Sequence, residues 1–267
     1  MYSNCRICKK DTLEPLMDLG EMSLSGRFPG KFEKIKSYPV ILSKCTICNL
    51  VQLANDYPLN EMYGEFYGYE SSLNPSMILH LKENIESLKK YLSTTSKVLD
   101  IGSNDGTSLG FYPSGIEKIG VDPSGKRFQN QYPTNSTLVA DFFDEKIVSE
   151  FKLKNKLFDV ITSFAMFYDL PDPVNFARNI EEILSDDGVW CLEQSYLPSM
   201  IERNAFDTIC HEHLEYYSFD NLERIFNQVG LKAIDVQLNE TNGGSFKVIC
   251  CKETSSLTAN SSISKFK

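Results

Sequence analysis

Long apolar runs, basic runs and an export signal are all missing from this chain of 267 residues. Nothing approaches the ~20 apolar residues that a helix needs to cross a bilayer. The start, Met1-Tyr2-Ser3-Asn4, lacks the charged-then-apolar form of a signal peptide. No membrane role is expected, and the location expected is the cytoplasm. A formal net charge of −9, with no local run of Lys and Arg, repels phosphate backbones, so nucleic acid is not an expected partner. Histidine is scarce as well: there are three, and two of them fall in one short run. What remains is ordinary for a folded protein, with 42% hydrophobic and 24% charged residues. The length suits one main core with a small accessory module beside it.

Eight cysteines would raise the question of disulfides, but four form two Cys-x-x-Cys pairs near the N-terminus and no export signal precedes them. Cys5 and Cys8, with Cys45 and Cys48, have the spacing by which two tight turns each aim two thiolates at one ion. Four thiolates give a closed, structural zinc site, and zinc would supply folding energy to a segment poor in large aliphatics. The alternative is four buried or reactive thiols. Between the pairs, residues 19–30 read as glycine-rich and irregular. After them, residues 57–72 bring Tyr63, Phe66, Tyr67 and Tyr69 together, either as core or as the lining of a cleft between two modules.

Residues 74–91 carry Met77, Leu81, Ile85 and Leu88 at helical spacing. The strand Lys97-Val98-Leu99-Asp100-Ile101 follows, and ends in Gly102-Ser103-Asn104-Asp105-Gly106-Thr107. There two glycines let a ligand approach the backbone, and a helix is expected to open toward it. A second strand ends at Asp122, about 20 residues on, where open parallel sheets place a carboxylate that accepts from ribose hydroxyls. A nucleoside-bearing cofactor follows from the pair. Asp105 and Asp141 are alternatively turn formers or helix caps, and Asp159 reads as structural.

The pattern Asp-x-Gly-x-x-x-Gly, from Asp100 through Gly102 and Gly106, resembles the first motif of class I S-adenosylmethionine-dependent methyltransferases. That resemblance implies an α/β fold, a Rossmann-like seven-stranded sheet. Its cofactor contacts would be Asp100, Gly102, Asn104, Gly106 and Asp122, with Asp141, after a third strand near 138–142, meeting the adenine. Strands near 158–163 and 184–193, with a helix from Val174 between them, and a closing pair over 231–236 and 245–251 complete the sheet.

Residues 194–218 then form a long connection at the carboxyl edge of the sheet, where loops are usually functional. It holds Cys210-His211-Glu212-His213, a dense set of proton-handling groups. The two knuckles, Tyr67-Gly68-Tyr69-Glu70-Ser71-Ser72, the first motif, the His-Glu-His run and Thr241-Asn242-Gly243-Gly244-Ser245 occur in one order. Together they resemble bacterial zinc-containing sugar C-methyltransferases acting on nucleotide-linked 4-keto sugars. The resemblance implies His213 as base, Glu212 as an acid near the keto group, His211 as a positioning group, and Tyr67 and Tyr69 near the sugar. The family has tyrosine where this chain has Cys210. Its members continue into a further α/β domain, which this chain is expected to lack, its last residues, 253–267, being expected to be disordered. The domains read as 1–72, zinc module and aromatic connector; 73–252, methyltransferase domain; and 253–267, tail. O-methylation of a sugar or another small metabolite, and a non-catalytic binding module that keeps the cofactor fold, remain the alternatives.

Overall fold

The computed structural model describes residues 4–26, 30–63 and 67–266. Phe66 and residues 27–29 of the glycine-rich segment lie outside the described residues. Two sheets organise the chain. The larger has strands β4 (Lys97–Ile101), β5 (Glu117–Val121), β6 (Ser136–Val139), β7 (Phe158–Phe164), β8 (Leu184–Ser195), β10 (Leu231–Asn239) and β11 (Ser245–Lys252), in the order β10-β11-β8-β7-β4-β5-β6. β6, β5, β4, β7 and β8 pair in parallel, and β11 turns back antiparallel on β8. This is the seven-stranded doubly wound sheet that the sequence predicts.

Alternating side chains explain the layers. Leu99, Ile161, Trp190 and Leu192 point to one face, and Val98, Val160, Val189 and Cys191 to the other, as the two-residue period of a strand requires. The first face is covered by helices α3 (Glu145–Leu153), α4 (Pro173–Ile183) and α6 (Phe219–Val229). The second is covered by α2 (Pro75–Leu88), with the short α1 (Leu59–Met62) preceding it in the chain. Each fully buried Leu or Ile here contributes about 1.5–3 kcal/mol. The helices start where their caps dictate: Asn74 before Pro75, Asp172 before Pro173 and Asp144 before Glu145 each accept from a first-turn amide.

The smaller sheet, in the order β1-β2-β3-β9, is built from β1 (Leu13–Ser23), β2 (Ser37–Cys45), β3 (Val51–Leu53) and the two-residue β9 (Glu215–Tyr216). β9 directly follows the His-Glu-His run, so the N-terminal module reaches beyond residues 1–72 by taking a strand from the far end of the chain. The 19–30 segment starts as regular strand, with a bulge between Asp18 and Glu21 that Gly20, at φ +75°, makes possible.

Two further expectations are corrected. The helix expected after Gly106 is a short 3₁₀ turn, Ser108–Phe111, because Gly110 weakens it and Pro113 forbids its continuation. The tail is not disordered: Asn260 N–H donates to Ile234 O at 2.9 Å, Ser262 Oγ to Asp235 at 2.8 Å, and Ile263 is buried. Its serines bond to the sheet edge, which composition alone does not show. The 194–218 connection is also partly regular, containing α5 (Leu197–Arg203) and β9. Among the described residues no helix is long and apolar enough to cross a membrane.

Candidate active site and metal centre

Cys5, Cys8, Cys45 and Cys48 converge, their four Sγ atoms all lying within 4.8 Å of one another. Cys5 and Cys48 sulfurs are 3.4 Å apart, and Cys8 and Cys45 sulfurs 3.7 Å. Four thiolates at ~2.3 Å from one tetrahedral ion stand about 3.8 Å from each other, so the set fits zinc. The amides of Ile47 and Cys48 and the Thr12 hydroxyl surround Cys45 Sγ at 3.1–3.4 Å. Against the opposing effect of burial, these donors bring the Cys45 thiol down to about 6, which favours the ligating thiolate. Zinc is therefore the structural metal of this module.

A cavity of about 650 Å³ opens at the carboxyl edge of the larger sheet, within the size range of small-molecule sites. Of the residues singled out in the sequence, Tyr67, Tyr69, Asp100, Gly102, Asn104 and Asp122 line it. Gly102 has φ +72°, and a Cβ there would stand 2.9 Å from Met166 Cγ, so the turn closes only around glycine. Asp100 is buried, and Thr162 Oγ1 donates to it at 2.6 Å. Burial pushes its carboxyl up to about 7; the Thr162 hydrogen bond opposes this, and the charges of Asp122 and Asp105 add to it.

Asp122 accepts from Asn104 N at 2.8 Å on Oδ2, and from Ser124 N and Oγ at 2.7 and 2.5 Å on Oδ1. A carboxylate has about four acceptor positions, so one remains on Oδ2. Asn104, at φ +47°, receives Ser71 N–H at 3.0 Å and donates to Tyr69 O at 3.2 Å. The glycine-rich turn thus holds the tyrosine segment against the cavity.

Gly106 and Asp141 are placed elsewhere. Gly106, at φ +78°, packs against the Tyr132 ring, and Asp141 is exposed and caps Phe142 N–H at 2.9 Å. The cavity wall beside Asp141 is made by Phe142 and Phe143. Asp159 accepts from Lys97 N and Ser185 Oγ, tying β4 to β8.

The His-Glu-His run lies behind the Phe167–Asp169 turn and does not line the cavity. His213 Nδ1 is 2.7 Å from Thr208 O, and its ring sits on Tyr168 with centroids 4.2 Å apart. A carbonyl only accepts, so the proton is on Nδ1 and Nε2 keeps its lone pair. Burial lowers the His213 pKa, with the Thr208 hydrogen bond and the Glu212 charge opposing, which favours the neutral ring. His211 is buried, its ring edge-on to Tyr57 at 4.8 Å and its Nε2 3.3 Å from Tyr38 O. Ser25 of the zinc module joins His211 Nδ1, at 3.2 Å, to the Glu212 carboxylate, to which it donates. At Gly26 a Cβ would fall 2.6 Å from Glu212 Oε1, so glycine leaves room for that carboxylate.

Arg6 anchors the chain just beyond the run. It reaches Glu215 at 3.4 Å and Asp56 at 2.7 Å, and donates to Leu214 O at 3.3 Å and Leu53 O at 2.7 Å. Those carboxylates hold its charge against the cost of burial.

The sequence reading missed Ser25, Arg6 and Asp169, while Tyr63, one of the aromatics offered as core or cleft lining, lines the cavity. Asp169 lines the cavity, yet in Tyr168-Asp169-Leu170-Pro171-Asp172 it looks like an approach to a helix cap. No local pattern separates it from Asp172, which is one.

A family model for a methyltransferase domain matches residues 76–236, and one for a zinc-binding domain matches residues 5–63. C-methyltransferase NovU of Streptomyces niveus is 26% identical over 250 residues, covering 91% of this chain and 59% of that protein. The chain thus spans somewhat more than half the length of that relative. Among solved structures, the plantazolicin methyltransferase BpumL in complex with a triazolic desmethylPZN analog and SAH has a TM-score of 0.52 at 12% identity, covering 65% of this chain and 83% of that one. Magnesium protoporphyrin IX methyltransferase (ChlM) of Synechocystis PCC 6803, with bound SAH, has a TM-score of 0.50 at 10% identity, covering 70% and 90%. These two likenesses concern the fold.

Proposed function

The chain belongs to the methyltransferase-domain family, and from that premise we propose that it methylates a carbon next to the ketone of a nucleotide-linked keto sugar, with His213 as base. S-adenosylmethionine, when bound, supplies a methyl group on a positively charged sulfur. The cavity fits this donor: Gly102 opens the backbone, Asp122 Oδ2 keeps an acceptor position for a ribose hydroxyl, Phe142 and Phe143 offer an apolar wall, and Asp100 is a buried acid able to meet a cation.

The single observation that carries the choice of base is the Thr208 carbonyl on His213 Nδ1, which leaves Nε2 able to take a proton. Ser25 holds Glu212 and His211 beside it. Tyr67 and Tyr69 line the cavity within reach of an acceptor, and Asn104 fixes the backbone of Tyr69. The similarity to a C-methyltransferase supports carbon as the methylated atom.

Solvent deuterium tests the reading. With S-adenosylhomocysteine bound and nucleotide-linked 4-ketohexoses in heavy water, the hydrogen next to the ketone is expected to exchange. Turnover of a sugar without any such exchange would replace carbon by oxygen as the methylated atom.

A further inference from the structure

One turn, Phe167–Asp169, separates the cavity from the His-Glu-His run, and its last residue carries a group with no use inside the fold. Asp169 is 9% exposed and lines the cavity with Tyr63 and Tyr67. Its Oδ1 is closed to solvent and, like the Tyr63 hydroxyl that it faces, lacks a partner at full hydrogen-bond distance and angle among the described residues. A buried polar atom left unpaired costs about 1–3 kcal/mol, so two of them in one cavity wall point to a ligand that pairs them. The turn is held from both sides. Asp169 N–H donates to Met166 O at 3.1 Å, beside Gly102, and Leu214 N–H donates to Tyr168 O at 2.7 Å, beside His213.

The surroundings decide which form the carboxyl takes. Burial pushes Asp169 well above the usual carboxylate range, and the negative charges of Glu212 and Glu215 push the same way, with the Tyr63 hydroxyl opposing. Tyr67 and Tyr168, also within reach of its charge, are held un-ionised by burial. A carboxylic acid kept neutral in this way is an O–H donor, like the protonated aspartate of an oxyanion hole.

Resting on the C-methylation reading, we propose that Asp169 and Tyr63 are the donor pair for the acceptor's ketone oxygen, holding it by two hydrogen bonds as it becomes an enolate. The C–H proton passes to the base of the proposed reaction, and the C–H electron pair moves into the enolate. That pair then forms the new carbon–methyl bond while the methyl–sulfur pair leaves with the sulfur. The ketone re-forms, and both donors keep their protons throughout. An acceptor with no carbonyl beside the methylated atom gains nothing from such a pair, so the site selects ketones over alcohols.

The test uses the full chain with S-adenosylhomocysteine bound and a nucleotide-linked 4-ketohexose in heavy water, following exchange next to the ketone by NMR. Asp169→Ala is expected to slow exchange ~10²–10³-fold, the loss typical of one oxyanion donor. Asp169→Asn, which keeps an N–H donor, is expected to lose less, and Tyr63→Phe to slow exchange as well. S-adenosylhomocysteine affinity is expected to stay unchanged in all three. The wild-type rate is expected to fall at alkaline pH as Asp169 ionises, and Asp169→Asn to lack that fall. Exchange at the wild-type rate in Asp169→Ala would overturn the proposal, as would equal losses in the Asn and Ala variants.

A second measurement needs no acceptor. The ¹³C carboxyl signal of Asp169, assigned by its loss in Asp169→Asn, is expected to stay that of the neutral acid through pH 7; ionisation in the ordinary carboxylate range would remove the donor by itself. If the wild-type protein binds S-adenosylhomocysteine but neither exchanges nor methylates any ketohexose, the keto-sugar reading falls and the enolate role with it.

Discussion

His213 is half-buried and Asp100 fully buried, and desolvation works on them in opposite senses: it favours the neutral imidazole and the protonated carboxyl. His213→Ala is expected to bind S-adenosylhomocysteine as the wild type does and to lose ~10²–10⁴-fold in turnover, the range of general-base catalysis. Wild-type turnover in that variant would remove His213 from the mechanism. Because the His213 pKa is lowered, the acid limb of the rate profile should fall below the ordinary histidine range.

Asp100 predicts a stability profile. Its folded pKa, about 7, lies above its ordinary value of 3.8. The protonated form is therefore favoured by folding: its contribution is complete below pH 4 and is lost as pH rises through 7. The donor-free protein should lose on the order of a few kcal/mol across that window, and Asp100→Asn should flatten the curve, as melting temperatures against pH would show. A cationic donor reverses the preference. Calorimetry near pH 6 in buffers of different ionisation enthalpy should register proton release on S-adenosylmethionine binding, and none in Asp100→Asn.

At the scale of elements, the strand pairing that matters most is β9 against β3, because it attaches the His-Glu-His run to the zinc module. Arg6 holds that junction from within, between Glu215 and Asp56. Arg6→Ala leaves Glu215 buried without its cation and is expected to cost ~3–5 kcal/mol. Arg6→Met combined with Glu215→Gln should recover part of that loss in a denaturant titration; no recovery would mean that Arg6 acts through packing alone.

The central strands were legible, because short apolar runs such as Val98-Leu99 and Val160-Ile161, bounded by turn residues, mark strands buried on both faces without knowledge of their partners. So were Gly102 and Asp122, since a turn after a strand and an acid about 20 residues on are local patterns. The Ser25–Glu212 contact was not, the two residues being 187 apart in sequence. Nor was Asp169, whose role follows from burial against Tyr63 rather than from its neighbours in the chain. The docked tail shows the same limit: polar composition predicts solvation, while the free edge of β10 offers those serines other partners.

For the whole molecule, the two modules form one working unit. The zinc module supplies Ser25, Tyr38 and Tyr57 around His211, and Asn221 at the start of α6 donates to Cys48 O at 2.9 Å. The Gly102 and Asp122 side of the cavity, which the proposed function gives to S-adenosylmethionine, is by contrast built from the larger sheet. Cys48→Ser is therefore expected to lower turnover far more than S-adenosylhomocysteine affinity, with zinc content measured alongside; equal losses in both would mean that the modules do not divide the work in this way.

Carbon methylation is the central claim, and the fate of the methyl carbon tests it most directly. The protein would be incubated with S-adenosylmethionine carrying a ¹³C-methyl group and a panel of nucleotide-linked sugars, and the product read by carbon–carbon correlation NMR. A one-bond coupling from the labelled methyl to a ring carbon next to the ketone is the predicted result. A labelled methyl bonded to oxygen, in a product formed at a comparable rate, would contradict it.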